Sequence, residues 1–204
     1  MNTHLFVAAI YDALMVPADK LGFQQVRRMV VKGATGRTLE IGAGTGLNFR
    51  HFENARQVYA IEPDPYMLKR AAGRMENRVV LARAEAERLP FPDNTFDTVV
   101  STLTFCTIGD PLSAAGEIKR VLKPDGCFFF AEHPIAEQSF LAHAEKVMTP
   151  VWKRIAGGCH LDRDILSFFK SAGLTVSEIV RLDSFFVAGR ASKGAPCRLP
   201  GYTA

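Results

Sequence analysis

The sequence predicts an α/β fold: a doubly wound, mostly parallel seven-stranded sheet that ends in a C-terminal antiparallel hairpin. Three observations predict it. Apolar runs of strand length alternate five times with helix-length stretches, which is the pattern of a parallel sheet with helices on both faces. Two further strand-like runs follow, separated by Leu182-Asp183. A glycine-rich turn directly follows the first apolar run, and sheets of this kind bind ligands beyond the carboxyl ends of their strands.

The elements read in order as follows. Residues 3–15 form a short helix, apolar on most sides, and Pro17 suits the first turn of a second helix that runs to about Lys32 and stops at Gly33. Residues 38–41 are a strand, and a helix begins over 47–52 directly after the glycines. Residues 58–61 form the second strand. Asp64-Pro65 then reads as an N-cap with proline at the first helical position, opening a helix to about Arg74. Strands are expected over 79–82 and 96–103, the latter apolar enough after Asp97 for burial on both faces, with a turn over 89–94 between them. A helix from Asp110-Pro111 to Leu122 ends at Lys123-Pro124-Asp125-Gly126, and residues 127–131 are a wholly apolar fifth strand. A longer helix spans about 138–155. After Gly157-Gly158 comes a short helix capped by Asp162 and stopped at Gly173, then strands over 176–181 and 184–190.

Of the 204 residues, 48% are hydrophobic and 23% charged, which suits one domain with a full core. The net charge of +4 comes from scattered Lys and Arg, permits weak attraction to anionic surfaces, and argues for no nucleic-acid partner. Cys106, Cys127, Cys159 and Cys197 are far apart and form no C-x-x-C pair. The expectation is four unpaired thiols in a reducing compartment, with neither a disulfide framework nor a metal site. The apolar stretch over 5–10 is interrupted by Tyr11-Asp12 and is too short to span a bilayer, so a cytoplasmic protein is expected.

The turn itself reads Gly42-Ala43-Gly44-Thr45-Gly46, and Glu62 ends the next apolar run twenty residues after Gly42. Its glycines let the chain turn tightly and let a ligand approach without a Cβ in the way. A carboxylate at Glu62 can accept hydrogen bonds from both hydroxyls of a ribose. A P-loop is excluded because no Gly-Lys-Ser/Thr follows. A dinucleotide fingerprint needs a glycine where Leu47 stands. Glu40, inside the first strand, suits the positive amino-acid end of S-adenosylmethionine better than a pyrophosphate.

Leu39-Glu40-Ile41-Gly42-Ala43-Gly44-Thr45-Gly46 resembles motif I of the class I S-adenosylmethionine-dependent methyltransferases, whose fold is Rossmann-like. The likeness continues through Ala60-Ile61-Glu62-Pro63, through residues 86–97 and through 117–126. It implies S-adenosylmethionine as cofactor and S-adenosylhomocysteine as its product. By that resemblance Gly42, Gly44 and Gly46 line the methionine and ribose portion, with Glu40 behind them, and Glu62, followed by Pro63, binds the ribose diol. Met67 packs on the adenine, Glu85 and the Ala86 backbone meet the adenine edge, and Thr102 and Leu103 border the sulfonium. Met67 also reads as a core residue, and Glu85 as part of a solvated turn with alternating charges.

The acceptor side is read from the second half. No Pro-Pro-aromatic follows the fourth strand, which disfavours nucleic acid and leaves a small-molecule acceptor. Ser101-Thr102-Leu103 with Cys106, Ala131-Glu132-His133, Pro150-Val151-Trp152-Lys153, the segment 158–161 and Ala188-Gly189-Arg190-Ala191 resemble the membrane-associated alkyl-thiol S-methyltransferases. The resemblance implies one domain: a helical lid over 1–33, a cofactor core over 36–132, acceptor-side helices over 133–173, the hairpin over 174–191, and a tail over 192–204 loosened by Pro196, Pro200 and Gly201. Tyr11 in the opening helix either covers the cofactor's methionine end or docks on the core with its apolar neighbours, and that helix also offers a peripheral membrane contact.

His133, with an ordinary pKa of roughly 6.5, is the best-placed general base, and it reads equally as a residue that orients a loop through a backbone hydrogen bond, since a small thiol needs a modest pKa decrease more than a strong base. Cys106 and Cys159 read as packing residues, and Phe105, Phe140, Trp152, Phe185 and Phe186 as an apolar acceptor pocket. A thiol is the favoured acceptor. The alternatives are a phospholipid amine, or a cofactor-binding protein without catalysis.

Overall fold

The computed structural model describes residues 3–18, 22–136, 138–181, 186–194 and 197. Among these residues, six α-helices and seven strands follow one another. The helices are α1 (Thr3–Ala18), α2 (Gln24–Lys32), α3 (Pro65–Ala72), α4 (Pro111–Val121), α5 (Ser139–Ile155) and α6 (Ile165–Ser171). The strands are β1 (Gly36–Ile41), β2 (Ala55–Ile61), β3 (Val79–Ala82), β4 (Phe96–Thr102), β5 (Leu122–Glu132), β6 (Thr175–Arg181) and β7 (Val187–Ser192). They form one sheet in the order β3-β2-β1-β4-β5-β7-β6. The first five strands run parallel to one another, while β7 runs antiparallel to both β5 and β6. The order reverses between β1 and β4, which opens a crevice at their carboxyl ends.

Alternation along the strands feeds two cores, because successive side chains leave a strand on opposite faces. Leu39, Ile41, Val99, Phe128 and Phe130 pack on one face with Ile118 of α4 and Phe169 of α6. Val58, Ala60, Val100, Phe129 and Ala131 pack on the other with Val26, Val30 and Val31 of α2. The fully buried Phe169 ring meets Phe105 and Phe128 edge-on at 4.8 and 5.0 Å, geometry that adds about 0.5–1.5 kcal/mol per pair beyond area burial.

Several local expectations are corrected. α1 continues through Pro17, so the proline lies inside the first helix and does not open the second. A single 3₁₀ turn, Phe49–His51, replaces the helix expected over 47–52. Asp164, not Asp162, caps α6, its carboxylate accepting the Ser167 N–H. By contrast Asp64 and Asp110 cap α3 and α4 as their Asp-Pro pairs predict. The hairpin turn over 182–185 and most of the tail lie outside the described residues.

The expectation of four unpaired thiols is also corrected. Cys127 of β5 and Cys197 are disulfide-bonded across 70 residues of sequence, with Cα atoms 5.3 Å apart. No spacing motif announces such a bond, because it is made by the chain folding back over the sheet. A disulfide is a feature of oxidising surroundings, so the cysteines no longer point to a reducing compartment. Among the described residues, no helix is long and apolar enough to cross a membrane. We expect Cys197→Ser to lower the unfolding free energy by about 2–4 kcal/mol in a denaturant titration. Reductant should destabilise the wild type and leave the variant unchanged.

Candidate active site

The glycine turn crosses the carboxyl ends of β1 and β2. Gly42, Gly44 and Gly46 have φ of 69°, 55° and 83°, the left-handed region that disfavours side chains. A Cβ on Gly42 would collide with the Thr104 side chain, and one on Gly46 would lie 2.8 Å from the Phe49 ring. A Cβ on Gly44 would meet nothing within 4 Å, so there the turn faces open space. The Glu62 carboxylate holds the turn from β2: Oε2 accepts the Gly44 N–H at 2.8 Å and Oε1 the Asp64 N–H at 3.0 Å. Burial raises the Glu62 pKa, and these two backbone bonds oppose the rise.

Behind the turn lies a buried polar network. Asn48 donates to Glu40 Oε1 at 2.6 Å and to Thr102 Oγ1 at 3.0 Å, and accepts from Arg27 Nη1 at 2.8 Å. Burial pushes Glu40 up to about 8 against the Asn48 bond and the Arg27 charge. Glu40 Oε2 and Arg27 Nε are buried without a partner. Such orphans cost roughly 1–3 kcal/mol each, more when charged. Arg27, Asn48 and Thr102 line a small cavity, about 230 Å³ with its open mouth, together with Tyr11 and residues of the glycine turn. An ammonium group would satisfy Glu40 and a carboxylate would satisfy Arg27. The residues present therefore fit a zwitterionic amino-acid group.

α1 is fastened over this cavity by Asp12. Its carboxylate accepts the Thr45 hydroxyl at 2.6 Å and pairs with Arg74 at 2.6 Å and Arg70 at 3.1 Å. Arg74 also donates to the Thr45 carbonyl at 2.7 Å. Burial alone would raise the Asp12 pKa, but bonds from Arg74, Thr45 and Arg70 outweigh it and hold it at about 2. Burial pushes Tyr11 to about 12 against the pull of Arg27. At neutral pH its phenol is a donor over the cavity and not a proton acceptor.

Glu132 organises the acceptor side. Buried at the end of β5, it accepts the Ser101 hydroxyl at 2.5 Å and the Thr104 and Phe105 N–H groups at 3.1 and 3.2 Å. These bonds hold the turn after β4, where Leu103 adopts φ 53° and donates to the Ala131 carbonyl at 2.9 Å. Burial pushes Glu132 up to about 7, against those three bonds. His133 follows, its Nε2 4.0 Å from Glu145 Oε1 and its ring against Phe186 at 5.9 Å. Glu145 is positioned by the Ala136 N–H at 2.8 Å.

The expected site residues separate into two groups. Glu40, the three glycines, Glu62, Thr102 and Tyr11 converge on the cavity or the turn that forms it. Met67, half-buried in the first turn of α3, Glu85, exposed in a turn, and buried Ala86 do not line it, and neither do His133 or Pro63. The expected aromatic pocket is not assembled. Phe105 is buried in the core, Phe140 is 80% exposed, and Phe185 lies outside the described residues. Arg27, Asn48, Asp12, Thr45 and Glu132 were missed as site residues. Asp12, Thr45 and Glu132 stand inside segments that the sequence singles out, Tyr11-Asp12, the glycine turn and Ala131-Glu132-His133, whereas Arg27 and Asn48 carry no such signal.

Glu132 allows a sign-specific prediction. Its folded-state pKa lies above the unfolded value, so its stabilising contribution is fully present below about pH 4 and is lost as pH rises through about 7. In urea titrations, the wild type should lose stability relative to Glu132→Gln between pH 5 and pH 8. Glu132→Ala should cost roughly 2–4 kcal/mol at either pH, because it strands buried donors.

Comparison with known proteins places this geometry. Residues 39–130 match the family model described as a methyltransferase domain. The thiol S-methyltransferase TMT1B of Homo sapiens is 33% identical over 187 residues, 83% of this chain and 75% of that protein. Its Rattus norvegicus counterpart is 35% identical over 154 residues, 70% of this chain and 61% of that protein. A phosphatidylethanolamine N-methyltransferase of Cereibacter sphaeroides is 32% identical over 123 residues, 58% of this chain and 61% of that protein. The chain thus spans between 61% and 75% of the length of these relatives. Among solved structures, a methyltransferase of Thermotoga maritima described as a possible histamine N-methyltransferase shares the fold, with a TM-score of 0.71 at 21% identity over 94% of this chain and 98% of that one. With a relative of one-third identity covering most of both chains, and a sheet shared with solved methyltransferases, the chain belongs to the class I methyltransferase family, in the group that holds the thiol S-methyltransferases.

Proposed function

We propose that the protein transfers the methyl group of S-adenosylmethionine to a small thiol. The observation that carries the cofactor is the pair of orphaned buried polar atoms, Glu40 Oε2 and Arg27 Nε, beside a turn whose Gly44 faces open space. The thiol acceptor rests on the relatives, named as thiol S-methyltransferases at 33% and 35% identity. S-adenosylmethionine, when bound, supplies a methyl group made electrophilic by its sulfonium sulfur. The chain's own residues bind, orient and exclude water.

In this reading Glu40 takes the ammonium and Arg27 the carboxylate of the methionine end. Each Glu62 oxygen already accepts one backbone N–H, and the remaining lone pairs receive the ribose hydroxyls. Pro63, Met67, Glu85 and the Ala86 backbone are assigned to the adenosine end, and Thr102 and Leu103 to the edge of the sulfonium. α1, latched through Asp12, covers the methionine end with Tyr11. Holding nucleophile and methyl group in line removes most of the entropic barrier of a two-body displacement. His133 takes the thiol proton, and the Glu145 carboxylate 4.0 Å away stabilises the imidazolium that forms. A phospholipid amine is the second reading, favoured by the Cereibacter sphaeroides relative.

The test is transfer of labelled methyl from S-adenosylmethionine to a panel holding a small alkyl thiol, a small amine and phosphatidylethanolamine vesicles. Label in the thiol product is the expected result; label in the vesicles alone would move the assignment to the phospholipid, and none anywhere would leave a binding protein. Glu62→Ala and Arg27→Met should each weaken S-adenosylhomocysteine binding about 10–100-fold by calorimetry, the loss of one charge-assisted contact. Unchanged affinity in both would overturn the site assignment.

A further inference from the structure

A helix of a globular domain ordinarily buries an apolar stripe and turns its polar side to water. α5 is inverted. Of its described side chains, the buried ones are Glu145 and Thr149, one turn apart and each bonded locally. Glu145 accepts the Ala136 N–H at 2.8 Å, and the Thr149 hydroxyl donates to the Glu145 carbonyl at 2.7 Å. The large apolar residues lie outside. Phe140, Val147 and Val151 are 80%, 65% and 64% exposed, and Met148 and Trp152 are exposed on the next turns. Spacings of seven and four place Phe140, Val147 and Val151 on one stripe of the helix.

Charge narrows what can cover this stripe. Lys146, Lys153 and Arg154 are exposed on the same helix, and its one acidic residue is the buried Glu145. The outer surface of α5 is therefore apolar and cationic, with no anion on it. A second copy of the chain fits poorly, because a twofold pairing of α5 would set Lys146, near the middle of the helix, against its counterpart. An anionic bilayer surface matches both properties. Its acyl boundary takes the apolar stripe, its headgroups take the lysines and the arginine, and tryptophan settles at that depth. At 17 residues with cations among them, α5 suits lying in the interface and not crossing it.

We propose that the outer face of α5 docks the protein on an anionic lipid surface. Phe140, Val147, Met148, Val151 and Trp152 enter the acyl boundary, and Lys146, Lys153 and Arg154 meet the headgroups. This face is separate from α1, the helix whose sequence suggested a peripheral contact. The inner side of α5 carries Glu145, 4.0 Å from His133. Docking therefore brings the acceptor side of the molecule to the bilayer, where an apolar thiol would partition. The docking itself rests on α5 alone and stands whichever acceptor is methylated.

Trp152 is the only tryptophan of the chain, so its fluorescence reports on this face alone. The test mixes the full chain with vesicles of phosphatidylcholine, or of phosphatidylcholine with equimolar phosphatidylserine, and follows co-sedimentation and tryptophan emission. The chain should bind the serine-containing vesicles, less well as salt is raised, with a blue shift and with quenching by brominated lipid. Val147→Glu combined with Val151→Glu, both at exposed positions, should weaken that binding about tenfold or more. The thermal melt and S-adenosylhomocysteine affinity of this variant should match the wild type. Lys146→Gln combined with Lys153→Gln should weaken binding to the anionic vesicles about tenfold. Vesicle binding without a shift or quenching of Trp152 would put the contact on another face and overturn the proposal. So would a chain that ignores the vesicles, including one that sediments as a dimer split by the Val147→Glu and Val151→Glu pair.

Discussion

At the carboxyl edge of a parallel sheet the ladder ends and the loops begin, leaving backbone N–H groups that no neighbouring strand can satisfy. In this chain glutamates at the strand ends meet that need. Glu62 at the end of β2 holds Gly44, and Glu132 at the end of β5 holds Thr104 and Phe105. Placing carboxylates there is costly, and the cost is visible in the raised pKa of both, which burial drives and the N–H bonds offset only in part. The loops beside the cavity keep their shape because these carboxyl groups are buried behind them and accept their N–H groups.

Glu40 is a third buried acid, and it differs from the other two. Its partner is a side chain, Asn48, and one of its oxygens has no partner. Across Asn48, Arg27 is in the same condition at Nε. An ion pair in contact would have closed this site; instead Asn48 stands between the two side chains, accepting from Arg27 and donating to Glu40. The structure thus retains a buried guanidinium and a buried carboxyl group, each with one unpartnered polar atom, beside a small cavity, a stability cost that a bound zwitterion would recover. Asp12 adds a cover whose strength is electrostatic, since Arg70 and Arg74 of the α3 region grip it from outside while Thr45 grips it from the turn.

The placement of the cysteines follows from the same layering. Cys127 points to the helix face that α2 covers, where Cys197 returns to meet it, while the Cys106 carbonyl accepts the His160 N–H where the turn after β4 meets the connection between α5 and α6. In sequence the four residues look equivalent. Burial and neighbours bond two of them to each other and leave the other two as free thiols, one buried and one half-buried.

What was legible in the sequence is what depends on local chemistry. Strand and helix order, the Asp-Pro caps of α3 and α4, and the three glycines with Glu62 could all be read because periodicity, capping and positive φ are properties of short segments. The readings that failed depended on distant contacts. Pro17 lies inside α1, Asn48 leaves a helix-like segment to join Glu40 and Arg27, and Cys127 finds Cys197 across 70 residues. The expected aromatic pocket dissolved because Phe105 was claimed by Phe128 and Phe169. By itself the sequence determined the fold class, the family resemblance and the turn that faces the ligand. Only the tertiary structure decided which polar groups gather at the cavity and which cysteines are bonded, because both are set by residues that meet only when the sheet and its helices pack.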